Sequence, residues 1–213
     1  MDSNIKNIIF DWGGVLIDIT MDRFLDTCAK YGLSVTSDEI TGSHKGGLYL
    51  DYETGLISDS EFRDGIRNHI YKETDNNTYV NTLSDKEIDD IWNSMIENIP
   101  LRKLELLFDL SRKYNLYILS NTNAIHWNYA SDRVFQYNNI NLKKIFKKIF
   151  LSYEMHLVKP DKGIFLEALK EGKMKAEETL FIDDSKANCD AAESVGINTY
   201  HYKIGEDLYE IFK

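Results

Sequence analysis

Phe10-Asp11-Trp12-Gly13-Gly14-Val15 is the stretch on which the fold turns. It closes the apolar run Ile8-Ile9-Phe10, so a short buried strand ends there with one carboxylate, Asp11, at its carboxyl end. Two glycines follow, which lets the backbone turn sharply and come close to whatever Asp11 holds. In open α/β sheets, ligands sit in the crevice beyond the carboxyl ends of the strands. Asp11 is therefore the first candidate for chemistry.

Working outward, the apolar alternation fades by Asp18 and a helical pattern begins with Phe24, Leu25, Cys28 and Ala29. Three capping-box signatures follow: Thr36 with Glu39, Ser58 with Glu61, and Ser84 with Glu87. Residues 18–96 read as a helical unit with few strands, if any. Past Pro100 the pattern changes. An amphipathic helix containing Leu104, Leu107 and Phe108 stops near Asn115, and Leu116-Tyr117-Ile118-Leu119 reads as a buried strand ending in Ser120-Asn121-Thr122. A Tyr-, Trp- and Asn-rich helical stretch precedes a strand at Ile149-Phe150-Leu151. Lys159-Pro160 leads into a helix with Ile164, Phe165, Ala168 and Leu169. The strand Thr179-Leu180-Phe181-Ile182 runs into Asp183-Asp184, and a helix stopping at Gly196 precedes a last strand, Asn198 to Tyr202. Strands alternating with helices predict an α/β fold with a doubly wound parallel sheet. Its core is discontinuous, residues 1–17 and 97–213, with the helical unit 18–96 inserted.

The chain has 213 residues, 43% hydrophobic and 28% charged, an ordinary globular balance. A net charge of -10 with no basic cluster argues against a nucleic-acid partner. No apolar run approaches the length of a membrane span, and no charged-then-apolar leader opens the chain. Cys28 and Cys189 sit among apolar neighbours at helical spacing and read as buried free thiols. The expectation is a cytoplasmic protein, monomer or homodimer, whose partner is a small molecule.

Three strands end in polar groups: Asp11, Ser120-Asn121 and Asp183-Asp184. Lys159 lies on a loop before a helix. A parallel sheet brings such ends to one edge. Taken singly, Asp11 and Ser120-Asn121 could only cap helices, and Lys159 could be a solvated lysine. Asp183 and Asp184 are harder to explain that way, because adjacent carboxylates repel unless a cation joins them.

The four segments together resemble the haloacid dehalogenase-like superfamily over nearly the whole chain. Phe10-Asp11-Trp12-Gly13-Gly14-Val15 resembles its first motif, Leu119-Ser120-Asn121-Thr122-Asn123 its second, Val158-Lys159-Pro160 its third, and Phe181-Ile182-Asp183-Asp184-Ser185 with Asn188 its fourth. The inserted unit 18–96 resembles the superfamily's helical cap. The run Ser120 to His126 and the segment Glu53-Thr54-Gly55 are most similar to bacterial sugar-phosphate phosphatases, including those acting on α-D-glucose 1-phosphate. The resemblance implies a small phosphorylated metabolite as substrate and an aspartyl-phosphate intermediate at Asp11, with Lys159 as the second catalytic group. It implies Mg²⁺ on Asp11, the Gly13 backbone oxygen, Asp183 and Asp184, with Asn188 behind them. Ser120, Asn121 and Gly14 would hold phosphate, and His44 and Lys45 substrate.

Gly13 departs from the family pattern. Most phosphatases of the superfamily carry a second aspartate there, which protonates the leaving oxygen and later activates water. Three readings follow: a phosphatase with another proton source, a metal-independent 2-haloacid dehalogenase, or a catalytically silent binding or regulatory module. His44, His126 and Asp18 are candidate proton carriers, although a lone histidine is more often structural. Without a donor, anomeric phosphates should react faster than primary alkyl ones. The segment from His44 through Tyr49 to Gly55 reads either as a loop over a small polar ligand or as helices joined by ordinary turns. The aromatic run Trp127, Tyr129, Phe135 and Tyr137 reads either as packing or as part of a self-association surface.

Overall fold

The computed structural model describes residues 4–31, 33, 47–73, 83–137 and 140–213. Five strands form one parallel sheet: β1 (Asn7–Phe10), β2 (Asn115–Ser120), β5 (Phe146–Leu151), β6 (Thr179–Asp183) and β7 (Asn198–His201), in the order β5-β2-β1-β6-β7. The central strands are buried on both faces, which is why they read as unbroken apolar runs. Their side chains alternate. Ile8, Phe10, Ile118 and Ile182 face one cluster, and Ile9, Tyr117, Leu119 and Phe181 the other. The second cluster is closed by Ile164, Phe165, Ala168 and Leu169 of one helix and Ala192 of another.

Nine α-helices are described: α1 (Met21–Lys30), α2 (Leu48–Glu53), α3 (Asp59–Glu73), α4 (Asp85–Asn93), α5 (Leu101–Ser111), α6 (Ala124–Tyr129), α7 (Ser152–Met155), α8 (Lys162–Gly172) and α9 (Lys186–Glu193). The first four lie between β1 and α5. The chain enters and leaves this helical segment side by side: Thr20 N–H donates to Met95 C=O at 2.9 Å, Glu97 N–H donates to Asp18 C=O at 3.2 Å, and Ile19 bridges Ile96. Ser58 and Ser84 both accept from the N–H three residues on, while Glu61 and Glu87 reach back, as the capping-box spacing requires. Thr36 and Glu39 lie outside the described residues.

Leu48–Glu53 is a helix, the second of its two sequence readings, because Tyr52 turns inward and stacks on Phe62 at 4.1 Å between ring centres. Sequence and structure differ in four places. The helical stretch after Asn123 ends in a π-helical turn at Val134 and gives way to a two-stranded hairpin, β3 (Gln136–Tyr137) with β4 (Ile140–Asn141). β5 begins three residues before the apolar run, because Lys147 and Lys148 lie on the exposed part of an edge strand. α5 stops at Ser111 and β7 at His201, both short of the expected ends. Cys28 and Cys189 are free and buried, as expected. Among the described residues no helix is long and apolar enough to cross a membrane.

Tyr52, Phe62 and Trp92 form an aromatic stack that continues to His126 on α6, Trp92 lying 4.8 Å from the His126 ring. Phe62 is fully buried in it. Phe62→Ala should lower stability by about 3–5 kcal/mol, read as a fall in the urea midpoint at constant slope. A loss below about 1 kcal/mol would show that the stack does not hold these helices.

Candidate active site

β1 delivers Asp11 to the carboxyl edge of the sheet, β2 delivers Ser120 and Asn121, and β6 delivers Asp183 with Asp184 after it. The β1–β6 ladder reaches the site itself, since Asp11 N–H donates to Ile182 C=O at 2.8 Å. Lys159 enters from the loop before α8. Its Nζ lies 2.9 Å from Asp11 Oδ1 and 2.7 Å from Asp183 Oδ2, with the side chain 1% exposed. Burial opposes the lysine charge, but the two carboxylates outweigh it and hold the ammonium above the ordinary lysine value. Burial pushes Asp11 up, to about 7, against the pull of Lys159 and with repulsion from Asp183 and Asp184 adding to it.

Asp183 is fully engaged. Oδ1 accepts from Ser185 N–H at 2.8 Å and Asn188 Nδ2 at 3.0 Å, and Oδ2 accepts from Lys159. Asn188 therefore holds Asp183, not Asp184. Asp184 has neither the lysine nor that amide; its carbonyl accepts from His201 Nε2 at 3.0 Å, and burial, with Asp183 beside it, raises its carboxyl above the usual range. One oxygen from each of Asp11, Asp183 and Asp184 falls within 4.8 Å of the others. Three carboxylates face one ammonium, leaving negative charge in an all-oxygen donor set. That chemistry fits a hard divalent cation.

Gly14 (φ +81°) makes the approach to Asp184 possible, because a Cβ there would lie 2.5 Å from Asp184 Oδ2. The Gly14 N–H donates to Ile17 C=O at 2.8 Å. A Cβ at Gly13 would meet only the end of Ile19, at 3.3 Å. Ser120 is buried at the end of β2. Asn121 and Lys159 are clamped reciprocally: the Asn121 amide donates to Lys159 C=O at 2.9 Å, and Lys159 N–H donates to Asn121 Oδ1 at 2.8 Å. The side chain of Asn121 thus sets the backbone that carries the lysine. Ser152, which the sequence did not single out, ties the next residue in the same way, bonding both the N–H and the C=O of Thr122 at 2.9 Å.

Of the proposed proton carriers, Asp18 is half-exposed and lies 3.6 Å from Lys103. The His126 nitrogens are both occupied: Nε2 donates to Trp92 C=O at 3.0 Å and Nδ1 accepts from Asn123 Nδ2 at 3.3 Å. Burial pulls it down to about 4, so the ring is neutral and serves packing. His44 and Lys45 lie outside the described residues. Above the acidic cluster a cavity of about 380 Å³ is lined by Asp11, Gly13, Asn121 and Asp184 from the sheet edge, and by Glu53 from α2.

A parallel sheet with this acidic edge has known relatives: a haloacid dehalogenase-like hydrolase model matches residues 5–196. The chain belongs to that family. It is 30% identical over 203 residues to a D-ribitol-5-phosphate phosphatase of Bacteroides thetaiotaomicron, covering 95% of this chain and 94% of that one. A crystal structure of a HAD family enzyme from B. thetaiotaomicron, in complex with magnesium and inorganic phosphate, superposes with a TM-score of 0.87 at 40% identity, covering 98% of this chain and all of that one. A HAD-like family hydrolase from Porphyromonas gingivalis gives 0.84 at 33%, over 99% and 97% of the two chains.

Because His126 titrates near 4 when folded and near 6.5 when unfolded, the unfolded chain takes up a proton in that window and the folded chain does not. Its contribution is complete above pH 6.5 and is lost as pH falls towards 4, about 3 kcal/mol in all. Urea unfolding at pH 7.5 and 4.5 should therefore cost the wild type more stability than His126→Gln. Equal losses would mean that the ring is not buried neutral. Gly14→Ala should cut hydrolysis by at least about tenfold by forcing Asp184 away, the left-handed backbone alone costing about 1–2 kcal/mol. Unchanged activity would show that Asp184 does not need that approach.

Proposed function

We propose that this hydrolase is a Mg²⁺-dependent phosphatase, acting on a small sugar or polyol phosphate through an aspartyl phosphate at Asp11. The observation that carries the reading is the buried Asp11 carboxylate, 2.9 Å from Lys159 and with one oxygen within 4.8 Å of an oxygen of each of Asp183 and Asp184. The named relative, a D-ribitol-5-phosphate phosphatase, supports the substrate class, and the related enzyme crystallised with magnesium and phosphate supports the cation.

In this reading Asp11 Oδ1 is fixed by two donors, Trp12 N–H at 2.7 Å and Lys159. The second oxygen, which accepts no hydrogen bond from the described residues, attacks phosphorus in line with the leaving oxygen. Lys159 offsets the charge of the incoming phosphate. The Ser120 hydroxyl and the Asn121 N–H face the phosphoryl pocket, which Gly14 lines, and an oriented donor of this kind is worth about 3–4 kcal/mol in the transition state. Mg²⁺ would be held by Asp11, the Gly13 backbone oxygen and Asp184, with Asp183 as a direct or water-mediated partner steadied by Asn188, and when bound it neutralises charge on phosphate and carboxylates. Residues 18–96 act as a cap over residues 1–17 and 97–213, with His44 and Lys45 among its substrate contacts.

D-ribitol 5-phosphate is a primary alkyl ester, whose leaving oxygen needs a proton. A panel containing it, glucose 1-phosphate, glucose 6-phosphate and 4-nitrophenyl phosphate should release phosphate with Mg²⁺, and release should cease with chelator or in Asp11→Asn. Phosphate release insensitive to both would overturn the mechanism. Binding without turnover would favour a regulatory module, and metal-free halide release from a 2-haloacid a dehalogenase.

A further inference from the structure

The proton donor that Gly13 lacks has to come from elsewhere, and one carboxylate is placed for it. Glu53 is the last residue of α2 and lines the same cavity as Asp11, Gly13 and Asp184. The residues on either side of it are tied down to neighbouring elements. Before it, the Tyr52 hydroxyl accepts from Ile125 N–H at 3.2 Å and donates to Asp59 at 2.7 Å. After it, Thr54 C=O meets His156 Nδ1 at 2.8 Å. Next comes Gly55 (φ +67°), so close to α7 that a Cβ would sit 2.2 Å from Tyr153 C=O. A side chain fixed at both flanks is ordered without spending its own carboxylate. Glu53 makes no hydrogen bond or ion pair with the described residues, and the charge that acts on it is Lys159 below.

We propose that Glu53 protonates the leaving oxygen and then deprotonates the attacking water, in place of the carboxylate that glycine removes at position 13. The proposal rests on the phosphatase reading. In the first step Asp11 forms a bond to phosphorus, the phosphorus–oxygen bond of the ester breaks, and its electron pair takes the Glu53 proton, releasing an alcohol. In the second, water adds to phosphorus as Glu53 recovers a proton from it. The bond to Asp11 then breaks, and inorganic phosphate and the free carboxylate are restored. Burial pushes Glu53 up to about 7, with Lys159 pulling the other way, so a fraction is protonated at neutral pH, as a group serving both steps requires. The other titratable groups on the walls of the cleft and its docking loop are Asp11, Asp184, Asp18, His126 and His156.

The test compares the full-length wild type with Glu53→Gln on D-ribitol 5-phosphate and on 4-nitrophenyl phosphate, whose leaving group needs no proton. With Mg²⁺ present, Glu53→Gln should slow the alkyl ester by about 100-fold or more. On 4-nitrophenyl phosphate it should give a burst of one nitrophenol per enzyme followed by slow turnover, because the phosphoenzyme forms but lacks its base. The alkaline limb of the wild-type profile of kcat/KM against pH, expected near 7, should vanish. Adding Gly13→Asp to Glu53→Gln should restore at least about tenfold of the loss. Equal slowing of both esters without a burst, or rates and profile within twofold of wild type, would overturn the assignment while leaving the phosphatase reading intact. A wild type that hydrolyses neither ester overturns both. Should Glu53→Gln fail to fold, Glu53→Asp must show the same split between the esters.

Discussion

Everything at the sheet edge depends on the ammonium of Lys159 lying between Asp11 and Asp183. Two carboxylates buried this deeply would not both stay ionised without it, and an ammonium buried alone would lose its proton. Burial makes the arrangement demanding as well as strong, because removing one partner from such a group costs about 3–5 kcal/mol. The chain therefore fixes each member from behind. Asn121 grips the backbone of the lysine, and Ser185 and Asn188 hold Asp183. Segments from β1, β2, the loop before α8 and the end of β6 become one unit through these contacts.

That internal cation also divides the labour between adjacent acids. Asp183 is braced by three protein donors and is the organiser. Asp184, half-buried and raised by its neighbour, keeps the negative charge that the lysine does not cancel. The repulsion inferred from two consecutive aspartates is real, but a side chain from 24 residues away relieves the first of them.

The legible parts of the fold were those in which burial and periodicity agree. β1, β2 and β6 are buried on both faces and appear as apolar runs, and the alternation with helices points to a parallel sheet. The capping boxes at Ser58 and Ser84 mark real helix starts because their signal is local. The hairpin after Val134 and the early start of β5 were illegible, since short edge strands with exposed lysines carry no apolar pattern. At the site, residue types at strand ends could be read, whereas the partners could not. Ser152 is an unremarkable serine in sequence, and Asn121 turns out to brace a lysine 38 residues away. Glu53 was visible as part of the Glu53-Thr54-Gly55 resemblance, but its place over the cleft was not, because that depends on Gly55 meeting the carbonyl of Tyr153.

The backbone contacts at the base of the helical segment bear on how the sheet assembles. Asn7 and Asn115 are partners in register although 108 residues separate them, and parallel pairing across such a distance is entropically slow. Once Ile19 has met Ile96, the chain from 20 to 95 is already closed off, and the loop that β1 and β2 must still close shrinks to roughly a quarter of its length, a saving of about 1 kcal/mol. A contact at the base of the helical segment thus lowers the cost of joining two strands that stand 108 residues apart.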